Sequence, residues 1–238
     1  MRSFDRGPTD LRPLTLTTDV SRHAEGSAEV RMGHTWVRIT CSVEERVPPH
    51  LLGKNSGWVT AEYGMLPRST NTRTTREAAK GKQSGRTQEI QRLIGRALRA
   101  SVDLSKLGPR TFTLDCDVIE ADGGTRCASI TGAYLALAQA VRTVHRQKLL
   151  TQLPVLTPVA AVSVGLVGGT VVTDLDYEED RTAEVDMNVV ARADGKLVEV
   201  QGTAEHGAFD RQQLDALIDA GLAGIARLVE AQRRALGL

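Results

Sequence analysis

The 238 residues hold 30 Lys and Arg against 29 Asp and Glu, so the chain as a whole is not a polycation and any surface for a polyanion must be local. No run reaches the ~18 apolar residues of a membrane span, and Met1-Arg2-Ser3-Phe4-Asp5-Arg6 lacks the apolar core of a secretory signal. Cys41, Cys116 and Cys127 form no CxxC pair and read as reduced thiols of a cytoplasmic protein; the five histidines (His23, His34, His50, His145 and His206) show no metal-ligand spacing.

Residues 30–43 read as a hairpin turning at Gly33-His34. From Met65 to Arg86 the chain is almost free of apolar residues. Here Arg68, Arg73, Arg76, Lys80, Lys82 and Arg86 face a single acid, Glu77, with Ser, Thr and Asn between them. Such a run is either a solvated loop or a phosphate-backbone surface, and its concentration in a nearly neutral chain favours the second. With 3% aromatic residues, base stacking is poorly supplied. Residues 84–102 follow as a helix with Ile90, Leu93, Ile94, Ala97 and Leu98 on one face.

Along residues 113–119, Leu114, Cys116 and Val118 alternate with Asp115 and Asp117, the pattern of a strand with one buried face. The strand runs into Gly123-Gly124-Thr125-Arg126. A helix then opens, with Ile130, Tyr134, Leu137, Val141 and Val144 at helical spacing. Glycines at a helix start let backbone N–H groups approach an oxyanion, Thr125 adds a hydroxyl, and Arg126 adds a planar cationic fork. Arg86 stands at another helix start, where the helix dipole disfavours a cation. That placement suggests an anion shared with Arg126.

Residues 159–174 read as a second hairpin turning at Gly168-Gly169, and residues 185–190 pair with 197–202 through Asp194-Gly195. Between these hairpins lies Asp174-Leu175-Asp176-Tyr177-Glu178-Glu179-Asp180. The acidic run reads as a loop, with Asp180 just before a strand that carries Asp186 on its polar face. Two carboxylates brought to one spot can hold Mg²⁺ or act in acid–base chemistry. A last helix follows Asp210, with Gln213 completing a capping box.

Two echoes recur at an offset of 135 residues, Gly33-His34-Thr35-Trp36-Val37 with Gly168-Gly169-Thr170-Val171-Val172, and Ile90-Gln91-Arg92-Leu93-Ile94 with Ile225-Ala226-Arg227-Leu228-Val229. They point to one α+β domain, residues 1–238, built by internal duplication from two similar halves of mixed sheet plus helices, roughly 1–150 and 151–238. An anion grip, paired carboxylates and a basic loop together suit phosphoryl or nucleotidyl transfer, in which cations offset the repulsion between two anions.

In order along the chain, several blocks resemble the RNase PH (tRNA nucleotidyltransferase) family of phosphorolytic exoribonucleases, related to polynucleotide phosphorylase and the exosome ring subunits. They are Leu11-Arg12-Pro13, Gly57 to Pro67, Ser84 to Ile90, Cys116-Asp117-Val118, Asp122 to Arg126, Ile130 to Ala133, Asp176 to Asp180 and Val185 to Asn188. The resemblance implies an RNase PH-type fold and 3′-to-5′ phosphorolysis of precursor-tRNA tails. Inorganic phosphate is the co-substrate, nucleoside 5′-diphosphates are released, and the reverse reaction adds nucleotides. It further implies that Arg86, Gly124, Thr125 and Arg126 grip phosphate, that Asp180 and Asp186 are catalytic and associated with Mg²⁺, and that Arg68, Arg73 and Arg76 face RNA. The implied assembly is a homohexamer, a trimer of dimers. A non-catalytic ring subunit is the alternative, which would be expected to lose the anion grip or the carboxylates. A P-loop kinase is not supported, since no GxxxxGK[ST] loop is present.

Overall fold

A computed structural model describes residues 2–205 and 207–238. His206, one of the histidines read as lacking metal-ligand spacing, lies outside the described residues. Among the described residues nine strands form two sheets, packed with four α-helices in a mixed α/β arrangement.

The first sheet holds β1 (Leu14–Thr18), β2 (Gly26–Met32), β3 (Thr35–Glu44), β4 (Trp58–Met65) and β5 (Thr111–Glu120), in the order β1-β2-β3-β5-β4. All pairs are antiparallel except β4 with β5. That parallel pair needs a crossover, which α1 (Gly85–Arg99) supplies. The hairpin read at Gly33-His34 is β2–β3, with Met32 opposite Thr35. On β5, Leu114, Cys116 and Val118 are buried as the alternation requires.

The second sheet holds β6 (Val159–Val167), β7 (Thr170–Thr173), β8 (Val185–Arg192) and β9 (Leu197–Ala204), in the order β7-β6-β8-β9. Its pairs are all antiparallel, and one turn falls at Gly168-Gly169 as expected; the other contains Asp194-Gly195 but is longer than the two-residue turn expected, with Arg192 N donating to Lys196 O across Ala193, Asp194 and Gly195. The first echo thus falls on two hairpin turns and the second on α1 and α4 (Arg211–Ala235). The two sheets differ in connection, since only the first contains a parallel pair.

The sequence pattern gave α2 (Thr125–Arg146) a single apolar face, and here the structure differs. Ala133, Leu135, Ala136, Ala138 and Ala140 are buried together with Ile130, Tyr134, Leu137, Val141 and Val144. The reason is position: α2 lies between the sheets and touches β2, β3 and β5 of one and β6 of the other. A helix packed on both sides has no solvent face to leave polar. β6 extends past the end of β7, and its free backbone edge is satisfied from the helices. Ala161 N donates to Thr131 Oγ1 (3.3 Å), and Gln232 Nε2 on α4 donates to Val159 O (2.9 Å).

All three cysteines are free and buried. Burial raises each thiol, Cys127 to about 12, so none is primed as a nucleophile. No helix among the described residues is long and apolar enough to cross a membrane.

Close approach of α2 to β2 depends on Gly26, where an added Cβ would stand 2.0 Å from Ala136 O and 2.6 Å from Ala140 N. Both neighbours are helix backbone and cannot rotate away. Gly26→Ala is therefore expected to destabilise the fold by about 3 kcal/mol, read as a lower urea midpoint. An unchanged midpoint would contradict this packing.

Candidate active site

Five segments converge where the sheets meet: the C-terminal end of β4, the start of α1, the glycine turn between β5 and α2, the short helix α3 (Tyr177–Thr182), and β8 with β9. The turn is built from two glycines with positive φ, Gly123 at 74° and Gly124 at 66°. A Cβ on Gly123 would lie 2.7 Å from Leu175 O and 2.9 Å from Tyr177 N, so the turn rests backbone to backbone on the start of α3.

Gly124 is the N-cap of α2, and no side chain among the described residues caps this helix. Its first-turn N–H groups and positive dipole end thus lack a side-chain partner, as an anion site requires. The buried Thr125 hydroxyl shares a 2.9 Å hydrogen bond with Tyr63 Oη. Burial raises the Tyr63 phenol, which keeps its proton and can give it to Thr125, freeing the threonine proton for an anion.

Arg126 is held by one nitrogen. Its Nη1 donates to Gln201 Oε1 (3.0 Å) and lies 3.3 Å from Glu89 Oε2, while Gln201 Nε2 donates to Glu89 and Glu199. Arg86, in the first turn of α1, is exposed and makes no ion pair among the described residues. The charges of both arginines reach Tyr63 and Asp180, so the two helix starts lie near a common pair of side chains. They are not equivalent, because α1 is already capped by Ser84, which accepts from Thr87 N at 3.1 Å.

The acidic run divides. Asp174, Asp176 and Glu179 are structural and do not line a water-facing loop. The side chain of Arg12 is 0% exposed and that of Asp174 is 1% exposed, and their Nη2–Oδ1 contact is 2.7 Å. Asp176 and Glu179 form a capping box at the start of α3, and Arg2 and Arg6 bind Glu179 at 2.6 and 3.3 Å. Asp180 therefore sits in a helix, correcting its expected place in a loop, because the capping box nucleates one there.

Desolvation raises Asp180, and Arg86 and Arg126 pull it back in part. Asp186, half-buried on the polar side of β8, is raised by desolvation, then by Asp180 and Glu205. The sequence reading missed Glu205, Gln201, Glu89 and Tyr63. The first three are polar residues whose partners lie on other segments, and alternation with Val59 and Ala61 puts Tyr63 in line with the core. Asp180 and Asp186 are hard oxygen donors, with Asp180 close enough to raise Asp186, a set that fits Mg²⁺ with most of its waters retained. No cluster of three potential ligands stands among the described residues.

Far from hanging free, the basic loop is tied down at both ends. Ala121 N donates to Ser69 O (2.8 Å), and Glu77 accepts from Ser84 N and Thr87 Oγ1. A groove of about 710 Å³ runs beneath it, lined by Tyr63, Asp117, Arg76, Lys80, Lys82 and Arg86 among others. Arg68 and Arg73 are exposed on the same loop and do not line the groove.

Residues 10–142 match the family model described as 3′ exoribonuclease family, domain 1, and residues 157–224 match its domain 2. Rice (Oryza sativa) Rrp46 is similar with a TM-score of 0.79 and 18% identity, over 99% of this chain and 100% of that one. An archaeal exosome core gives 0.76 and 23%, over 96% and 89%. The Archaeoglobus fulgidus exosome with RNA bound to the active site gives 0.78 and 23%, over 94% and 90%. At such identities these structures speak to fold.

The clamp around α3 sets an acid limit on stability. Burial alone would raise Asp176 and Glu179. Hydrogen bonds from Glu179 N and Ser3 to Asp176, and from Arg2 to Glu179, outweigh it together with the nearby arginines and hold both below the usual carboxylate range. Depressed folded values mean stability that is present above the unfolded values of about 4 and lost as pH falls below them. The contribution of this clamp to the thermal midpoint should be lost below about pH 4, and Asp176→Asn should make that fall shallower. An identical acid slope in the variant would contradict the clamp.

Proposed function

The chain belongs to the 3′ exoribonuclease family, and on that premise we propose that it is a phosphorolytic 3′-to-5′ exoribonuclease trimming the tails of precursor tRNA with inorganic phosphate. The observation that carries this reading is the start of α2, where uncapped N–H groups and Thr125 adjoin Arg126, whose charge, like that of Arg86, reaches Asp180. That arrangement is an anion grip beside carboxylates. A hydrolase needs only a water there, whereas a phosphorolase must hold an anion against a polyanion.

Arg86 and Arg126, the Thr125 hydroxyl and the backbone at Gly124 hold phosphate and neutralise it. One of its oxygens attacks the phosphorus of the last phosphodiester, and the bond to the penultimate 3′ oxygen breaks. A proton reaches that oxygen, and a nucleoside 5′-diphosphate leaves; run backward, the same step extends RNA. Asp180 and Asp186 sit where proton transfer and charge placement are needed. When bound to this pair, Mg²⁺ supplies charge neutralisation at the reacting phosphates. Arg76, Lys80 and Lys82 in the groove, with Arg68 and Arg73 on the loop, track the RNA backbone. The chain acts in a homohexamer, a trimer of dimers, in the cytoplasm.

Arg126→Ala removes charge-assisted hydrogen bonds of about 1.5–3 kcal/mol, so the KM for phosphate should rise roughly ten- to hundredfold. Asp186→Asn should lower kcat by about 10²-fold or more while RNA binding persists. Unchanged phosphate dependence in the first, or near-normal turnover in the second, would remove that residue from the site. Wild-type protein that binds tailed tRNA but never shortens it in phosphate would instead be a non-catalytic subunit. Neutralising Arg68, Arg73 and Arg76 together should weaken RNA binding and reduce the salt slope by about one per lost phosphate contact. An unchanged slope would return the loop to solvent.

A further inference from the structure

We propose that Thr35 and Arg12 are positioning residues that lock the Gly123-Gly124 peptide in the one orientation able to receive an anion. The inference rests on the phosphate-grip reading above and concerns what keeps that grip in shape. Two consecutive glycines with positive φ form the least constrained stretch of backbone a chain can offer. Neither carries a side chain that could fix it. The 122–123 and 123–124 peptide planes can therefore rotate, and a rotation would turn a carbonyl oxygen toward the anion where an N–H is needed.

The structure holds both planes from behind. Thr35 opens β3, is fully buried, and uses its hydroxyl twice: Oγ1 accepts from Asp122 N (2.9 Å) and donates to Gly123 O (2.7 Å). Arg12 Nη1 donates to Asp122 O, and Nη2 reaches Gly123 O at 3.5 Å. A trans peptide points its C=O and N–H in opposite directions. Anchoring the carbonyls of Asp122 and Gly123 therefore directs the N–H groups of Gly123 and Gly124 the other way. Among the described residues neither N–H donates to a protein acceptor.

Arg12 adds a second constraint. Its Nε and Nη2 bind Asp174 (3.1 and 2.7 Å), which lies two residues before the N-cap of α3, the helix that bears Asp180. One buried guanidinium thus ties the anion turn to the segment that carries the carboxylate. A purely structural role for these contacts would cost stability and leave the ratio of kinetic constants alone. A positioning role changes the phosphate constant selectively.

The test compares wild type, Thr35→Val and Thr35→Ser for phosphate KM, kcat at saturating phosphate, RNA affinity and thermal stabilisation by inorganic phosphate. Valine keeps the volume and loses both hydrogen bonds; serine restores the hydroxyl. The expected result is a phosphate KM raised about tenfold in Thr35→Val, with kcat and RNA affinity within about twofold of wild type and phosphate stabilisation lost. Thr35→Ser should return all of these toward wild type. A wild-type phosphate KM in Thr35→Val, or a loss spread evenly over all constants that serine does not rescue, overturns the proposal. If Thr35→Val does not fold, Arg12→Lys, which keeps the charge facing Asp174 and loses the fork, carries the same comparison. Phosphate stabilisation of the wild type that the variant loses supports the positioning role even where no turnover is seen. The failure of the exonuclease reading and the failure of this inference are thereby separate results.

Discussion

One buried ion pair holds the site together. Arg12 and Asp174 are both sealed from solvent, and burying two charges costs several kcal/mol per ion unless every hydrogen-bonding position is filled. Here Asp174 accepts from Arg12 N, Nε and Nη2, while Nη1 donates to the Asp122 carbonyl and Nη2 also reaches Gly123 O. A pair of this kind adds little net stability over an apolar isostere, and what it supplies is a fixed geometry. The pair joins three separate pieces of chain: the amino-terminal segment, the glycine turn of the first sheet and the entry to α3 beside the second. Asp174 even holds a left-handed φ of 60° to reach it. Losing either partner would leave an uncompensated buried charge directly behind the site.

On that frame the surrounding charges oppose one another by design of position. Cations come from two helix starts, and carboxylates come from α3 and β8. Glu89 and Gln201 engage Arg126 through Nη1, which steers the guanidinium while its other nitrogens meet no protein acceptor among the described residues. Desolvation, with Asp180 and Glu205 beside Asp186 and Glu205 beside Asp180, makes negative charge costly on that side, and the arginines relieve part of the cost. The result is a site in which cations stand close to carboxylates, an arrangement that supports the proposed meeting of two anions. The basic groove extends the positive side outward along the loop.

Local features of this fold were legible in the sequence. Alternation on β5, the glycine doublet, the Asp194-Gly195 turn and the capping box at Asp210 each depend on neighbours a few residues away, and each stands where the pattern put it. What the sequence hid depends on partners far along the chain. Nothing near Asp174 or Glu179 reveals that their partners are Arg12, Arg2 and Arg6, more than 160 residues earlier. Asp174, Asp176 and Glu179 therefore read like Asp180 in the same run. Asp176 and Glu179 did carry a local signal, the Asp-x-x-Glu spacing of a capping box, which marks the start of α3. The burial of α2 on all sides was also foreshadowed, by the many alanines in a segment whose large apolar residues alone give a single stripe.

The account stands on a phosphate ion entering the product. The most direct measurement follows labelled inorganic phosphate while the purified protein shortens a tailed RNA. The account predicts that the label appears as the β-phosphate of released nucleoside diphosphates, one per nucleotide removed. Shortening that releases monophosphates, with the label remaining wholly in inorganic phosphate, would contradict it.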